Sequence, residues 1–106
     1  MDITEKKEKD WLVIALTERL DTQTAPELEK LVTEKMGEQV KMALDLTNLQ
    51  YISSAGLRVL LMMMKKAKAQ NGKAVLVGVG GLVAEILEES GIDAFFEMYG
   101  DVEALP

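Results

Sequence analysis

Between Lys73 and Glu85 the chain carries no charge, and this stretch opens with Ala74-Val75-Leu76-Val77-Gly78-Val79, a run with no polar side chain at all. An unbroken apolar run suits a strand covered on both faces, which is the habit of parallel sheets whose crossovers are helices. Its flanks agree. Upstream, Leu57, Leu60, Leu61 and Met64 fall at i, i+3, i+4 and i+7, one face of a helix that runs to Lys68, Ala69 or Gln70 and stops at Asn71-Gly72. Downstream, Leu82 to Ser90 presents Leu82, Ile86 and Leu87 at helical spacing, with Gly91 as its stop. Helix, buried strand, helix is the grammar of an α/β domain.

The rest of the chain extends that pattern. Ile3 to Leu16 reads as two short strands, the stronger being Trp11-Leu12-Val13-Ile14-Ala15-Leu16. Thr24-Ala25-Pro26-Glu27 is a helix start: Thr24 as cap, Pro26 in the first turn, and Glu27 three residues on to close a capping box. Leu28, Leu31, Val32 and Met36 follow at helical spacing, and Gly37 ends the run. Val40 to Leu46 reads as a strand and Thr47 to Ile52 as a loop. Phe95 to Met98 reads as a short strand, and Asp101 caps a last short helix cut off by Pro106. The expectation is one α/β domain over residues 1–106, with a mixed, mostly parallel sheet of four to five strands against about four helices.

Composition removes whole classes of chemistry. With no cysteine and no histidine, the chain has no disulfide, no thiolate nucleophile and no imidazole acid or base, and it lacks the ligands of most zinc sites. No cofactor is expected. The net charge of −6 is uneven: residues 74–106 hold Glu85, Glu88, Glu89, Asp93, Glu97, Asp101 and Glu103 and no base. An acidic domain is repelled by phosphate backbones, so no nucleic-acid partner is expected. The acidic third reads as a solvated face or as a docking surface for a basic partner. Met1 to Asp10 is mixed in charge with no apolar core, and Ala74 to Ala84 falls short of the roughly 17–25 residues of a membrane helix. A cytoplasmic protein with no membrane insertion, monomeric when free, is the expectation.

Three segments are candidates for chemistry. Gly78-Val79-Gly80 opens like a dinucleotide fingerprint, but Val83 stands where the third small residue belongs; a plain strand-to-helix turn is expected. Asp45 lies near a strand end and Asp21 in a turn, but the acids that a metal or acid/base site would need near Asp45 are missing in sequence. The third is Tyr51-Ile52-Ser53-Ser54-Ala55-Gly56-Leu57-Arg58, where two serines open a helix. One hydroxyl can cap the helix, leaving the other free beside unpaired N–H groups and a partial positive charge. A phosphate is tolerated there, and its charge would fall on any partner packed against the hydroxyl.

Asp45-Leu46-Thr47 followed by Ile52-Ser53-Ser54-Ala55-Gly56-Leu57 resembles the signature of the STAS domain family, home of the bacterial anti-sigma factor antagonists. Leu20-Asp21-Thr22-Gln23-Thr24-Ala25-Pro26-Glu27-Leu28 looks like the family's earlier turn and first helix, and the order of elements matches over essentially the whole chain. The resemblance implies partner switching: a domain that binds an anti-sigma factor that is also a serine kinase, is released by serine phosphorylation, and is restored by a PP2C-type phosphatase. It implies Ser54 as the phosphate acceptor with Ser53 as runner-up, and a docking surface of Asp21, Thr22, Gln23, Ser53, Ser54, Leu57 and Arg58. No catalytic residue is implied. A constitutive STAS subunit of a transporter-associated or stressosome-like complex, without phosphorylation, is the other reading. Three positions depart from the family pattern. Ser53 stands where an aspartate is usual, Glu18 or Arg19 replaces a glycine before Leu-Asp, and Arg58 stands where many members have a small residue.

Overall fold

The computed structural model describes all 106 residues. Its first two strands, β1 (Ile3–Glu8) and β2 (Trp11–Leu20), pair antiparallel from Ile3 opposite Leu16 to Glu8 opposite Trp11. The chain then alternates: α1 (Ala25–Lys35), β3 (Lys41–Ile52), α2 (Ser54–Ala69), β4 (Lys73–Val77), α3 (Gly81–Ser90) and β5 (Met98–Tyr99). The sheet order is β1-β2-β3-β4-β5, and every pair after the first is parallel. This is the expected mixed, mostly parallel sheet, with five strands.

Helices number three, supplemented by 3-10 turns at Ile92–Phe95 and Val102–Ala104, where the sequence suggested about four. The last expected helix is the second of these turns. Asp101 does cap it, accepting the Ala104 N–H at 2.9 Å. The strand expected at Phe95 to Met98 lies slightly later, because Gly91, with φ 78°, ends α3 directly into the first 3-10 turn.

Alternation along the strands divides the apolar residues between two faces. Ile14 and Leu16 of β2, Met42 and Leu44 of β3 and Leu76 of β4 face the helices, packing with Leu28 and Val32, Val59, Leu60 and Met63, and Val83 and Leu87. Trp11, Val13, Ala43, Val75 and Val77 turn to the other face, where Leu105 covers them. Both faces of β4 are therefore buried beyond its first residues, which is why its sequence is apolar from Ala74 onward. The Trp11 indole N–H donates to the Pro106 carbonyl at 3.1 Å, and the Lys9 ammonium donates to the carbonyls of Glu103 and Leu105. These bonds pin the end of the chain across the sheet. No polar side chain is fully buried.

The loop expected at Thr47 to Ile52 is instead strand. Pairing of β3 with β4 ends at Asp45 opposite Val77, but pairing with β2 continues from Thr17 opposite Asn48 to Leu20 opposite Ile52. Two register shifts, between Ala15 and Thr17 and between Glu18 and Arg19, bend this two-stranded extension. Glu18 sits at the second shift with φ 66°, a conformation that glycine adopts freely and other residues do not. Of the two positions where the resemblance leads one to expect a glycine, Glu18 and not Arg19 has the left-handed backbone, so the bulge here is made with a glutamate. Asp45 marks where the extension leaves the sheet, its carboxylate accepting the Thr47 N–H at 3.0 Å and the Thr47 hydroxyl at 2.6 Å.

Candidate functional site

The extension delivers two loops side by side. At its tip the Ser53 N–H donates to the Leu20 carbonyl at 2.9 Å, so the turn that starts at Asp21 and the head of α2 share one edge. Segments separated by some thirty positions in sequence become neighbours through that single backbone pair.

At the head of α2 the two serines have different duties. Ser53 has extended backbone, φ −95° and ψ 176°, and its hydroxyl accepts the Gly56 N–H at 3.4 Å; it is the helix cap. Ser54 is the first helical residue and is exposed, and no protein group holds its hydroxyl. The sequence allowed either serine to be the cap, and the backbone decides it. Gly56 lets this end of the helix sit deep. A Cβ there would stand 2.7 Å from Ile52 Cγ1, 2.8 Å from the Leu20 carbonyl oxygen and 2.9 Å from Leu20 Cγ. Only glycine fits between helix and ribbon.

The turn before α1 is organised by Asp21 rather than by the expected capping box. Thr24 occupies the cap position but makes no side-chain cap bond, so the Thr24–Glu27 box does not form. The Asp21 carboxylate instead accepts the N–H groups of Gln23 at 3.0 Å and Thr24 at 3.2 Å, while the Thr24 hydroxyl lies 2.9 Å from the Arg19 carbonyl and accepts the Asp21 N–H. Asp21, two residues ahead of the Gln23 N–H, closes an Asx turn, and the Thr24 hydroxyl, engaged with Arg19 and Asp21, is not left to cap the helix. Partial desolvation pushes the Asp21 carboxyl up, but the N–H donors of Thr24 and Gln23, the Thr24 hydroxyl and the Arg19 charge outweigh it. The net effect holds Asp21 below the ordinary aspartate value.

Thr22 and Gln23 are exposed at the turn's tip. Thr22 shares a shallow groove with Pro26, Glu29, Ala55 and Arg58, so the Asp21–Gln23 turn and the first turn of α2 form one continuous surface. Arg58 is exposed, without a carboxylate partner. Leu57 is half-buried and packs on the core, so it offers a partner only part of its side chain. One member went unnoticed in the sequence: Arg19 lies over the Tyr51 ring, 4.4 Å from its centre, and pairs through Nε with Asp21 at 3.6 Å. The signal was available only through register, since Arg19 and Tyr51 are cross-strand partners in the segment read as a loop.

The other candidates have structural duties. Gly78, at φ 69°, packs against Thr47 with no room for a side chain, and Gly80 precedes α3 as its cap residue; the glycines serve the strand-to-helix turn. Asp45 is occupied by Thr47. No group of three His, Cys, Asp or Glu residues could hold a metal ion, and no helix is long and apolar enough to cross a membrane.

What the site offers is an exposed hydroxyl at a helix N-terminus, a rigid acid-ordered turn beside it, and one free guanidinium. Over nearly its whole length the chain is similar to known proteins. It is 37% identical over 90 residues to BtrV of Bordetella bronchiseptica, by name an anti-sigma factor antagonist, covering 85% of this chain and 72% of that protein. In three dimensions it superposes on an anti-sigma-factor antagonist (STAS) domain protein from Planctomyces limnophilus with TM-score 0.86 and 22% identity, covering 97% of this chain and 93% of that one. It also superposes on the phosphorylated form of the Bacillus cell fate determinant SpoIIAA, with TM-score 0.75, 17% identity, and 97% and 96% of the two chains covered. The STAS domain model matches residues 2–105, and the chain belongs to the STAS domain family.

Proposed function

We propose that this protein is an anti-sigma factor antagonist that acts by docking, without turnover or cofactor, and is switched by reversible phosphorylation of Ser54. The observation that carries the reading is the division of labour between the serines. Ser53 is engaged as the cap, so of the two serines Ser54 is the one with a free, exposed hydroxyl, and its neighbour Ala55 lines the groove with Thr22 and Arg58. The partner in this reading is a cytoplasmic anti-sigma factor with serine kinase activity, opposed by a PP2C-type phosphatase. The kinship with BtrV supports that class of partner.

A phosphate on Ser54 brings about −1.5 to −2 charges to the helix N-terminus, where unpaired N–H groups stabilise them, so the fold is kept. Against a partner packed on the hydroxyl the same charge is desolvated without a matching cation. Each 1.4 kcal/mol so lost weakens binding about tenfold. Incubation with the cognate kinase-type anti-sigma factor and ATP, followed by mass spectrometry, is expected to place phosphate on Ser54; its absence from both Ser53 and Ser54 would remove the switch.

The serine at position 53, where the family usually has an aspartate, favours a second reading: a constitutive STAS subunit of a larger complex. Ser54→Asp separates the two. Under the switch it abolishes partner binding while unfolding is unchanged; under constitutive assembly binding survives.

A further inference from the structure

Helix α2 carries Arg58, Lys65, Lys66 and Lys68 and no acid, although the whole chain has 18 acids against 12 bases. None of the four takes part in an ion pair; the protein's salt bridges use Lys6, Arg19, Lys35 and the N-terminal amine. Arg58, Lys65 and Lys66 border a groove beside Thr33 of α1, and its apolar lining is Leu61 and Met62, both only partly buried. With Val59, Leu60, Met63 and Ala67 turned fully to the core, Arg58, Leu61, Met62 and Lys65 form the flank of the helix, Leu61 and Met62 packing on the core with part of each side chain and facing the groove with the rest. A cation, two apolar residues and a second cation repeat over two turns. No carboxylate lines the groove.

The complementary pattern lies on the same chain. Helix α3 buries Val83 and Leu87, so Leu82, Glu85, Ile86 and Glu89 run along its outer side, with Leu82 50% exposed and both glutamates exposed. The acids of α3 are unpaired as well, and there is no base from residue 74 onward to neutralise them. An acidic, aliphatic helix face and a basic, aliphatic groove are what a helix-in-groove contact needs.

We propose that a second copy of this chain docks head to tail, α3 of one copy seated in the α1–α2 groove of the next. Leu82 and Ile86 cover Leu61 and Met62, while Glu85 and Glu89 meet Arg58 and Lys65. The contact is heterologous, so each copy keeps one free groove and one free α3, and assembly grows with concentration instead of stopping at a symmetric dimer. The net charge of −6 opposes it, which makes the association weak and confines it to concentrated protein, while the short-range pairing of Glu85 and Glu89 with Arg58 and Lys65 is what weakens as salt rises. Arg58 belongs both to this groove and to the surface shared with Thr22, so a docked copy covers the edge of the Ser54 site.

Sedimentation velocity on the whole chain tests this, with Lys65→Glu in one preparation and Glu85→Lys with Glu89→Lys in another. Wild type is expected to shift to larger species as concentration rises toward about 1 mM at about 20 mM salt, and to lose the shift at about 500 mM, where screening confines Coulomb attraction to a few ångströms. Each variant alone is expected to stay monomeric, and an equimolar mixture to associate, because the intact groove of the Glu85→Lys, Glu89→Lys chain meets the intact α3 of the Lys65→Glu chain. A wild type that is monomeric throughout, association indifferent to salt, or a mixture that fails to pair would overturn the proposal. No kinase, ATP or anti-sigma factor enters the measurement, so its failure is distinct from failure of the phosphorylation assay.

Discussion

Gly56→Ala tests whether the head of α2 is seated by close approach. The new methyl would lie 2.7 to 2.9 Å from Ile52 Cγ1, the Leu20 carbonyl oxygen and Leu20 Cγ, some 0.6–0.8 Å inside the ordinary contact distance of about 3.5 Å. Side chains can rotate away, but the Leu20 oxygen is backbone and accepts the Ser53 N–H that joins the two loops. Relief of the overlap therefore lifts α2 off the ribbon. Overpacking of this kind costs about 1–3 kcal/mol, and losing the Ser53–Leu20 bond adds about 0.5–1.5. Alanine's better helix propensity returns at most about 1 kcal/mol, and less in a first turn. The net expectation is a loss of about 0.5–4.5 kcal/mol, centred near about 2 kcal/mol, which lowers Tm by roughly 8–16 °C for a domain of this size. Urea unfolding followed by fluorescence of Trp11, the single, buried tryptophan, reads it. Gly100→Ala is the control: the residue is exposed, a Cβ there meets nothing within 4 Å and its φ is not left-handed, so its stability stays within about 0.5 kcal/mol of wild type. Equal stability of Gly56→Ala and wild type, or equal losses in both variants, would refute the reasoning.

Three further outcomes follow from the same geometry. Ser53→Ala removes the cap but not the fold; because the bond to Gly56 is long at 3.4 Å, the loss belongs near the low end of the range for caps, about 0.5–1 kcal/mol. Faster amide exchange confined to the first turn of α2 would register it, and slower or unchanged exchange would count against the cap. Glu18→Gly relieves a left-handed glutamate, worth about 1–2 kcal/mol, against about 0.5–1 for glycine's extra unfolded entropy, so a small gain in urea midpoint is expected. Asp21, held below its ordinary value, stabilises the fold above the unfolded aspartate pKa of about 3.9, and that contribution is lost as pH falls through the folded value. The stability gap between wild type and Asp21→Asn should therefore narrow as pH is lowered from about 5 toward 3; a constant gap would mean the carboxylate's charge is irrelevant.

Most of the fold was legible because burial is written into side chains. The apolar run of β4, the period of α2 and the glycine stops each announce themselves within a window of ten residues. What escaped detection is held by backbone. Thr47 to Ile52 has exposed Thr47, Asn48 and Gln50, so no apolar pattern marks it, yet its N–H and C=O groups pair with the end of β2. The capping box failed for a related reason: the Thr24 hydroxyl is taken up by the Asp21 N–H and the Arg19 carbonyl as the turn leaves the ribbon, and the Glu27 N–H bonds to the Thr24 carbonyl instead. The residues of the candidate site were readable one by one. Their adjacency, and the Arg19–Tyr51 contact behind Asp21, were not, because both depend on a register that local sequence does not encode.

That missed ribbon also bears on how the proposed switch would work. A phosphate on a loose loop can be accommodated by the loop moving away, and a partner need hardly notice. Here the head of α2 is fixed from below by the glycine-only approach at Gly56, from the side by the Ser53–Leu20 bond, and beside it the Asp21 turn is closed by two N–H donors. Neither loop has an easy retreat. Charge added at Ser54 stays on the surface where a partner would rest, and the partner must meet it or leave. Rigidity of the scaffold is thus what would convert a local charge into a change of affinity, and loosening the ribbon should blunt the switch even with Ser54 intact.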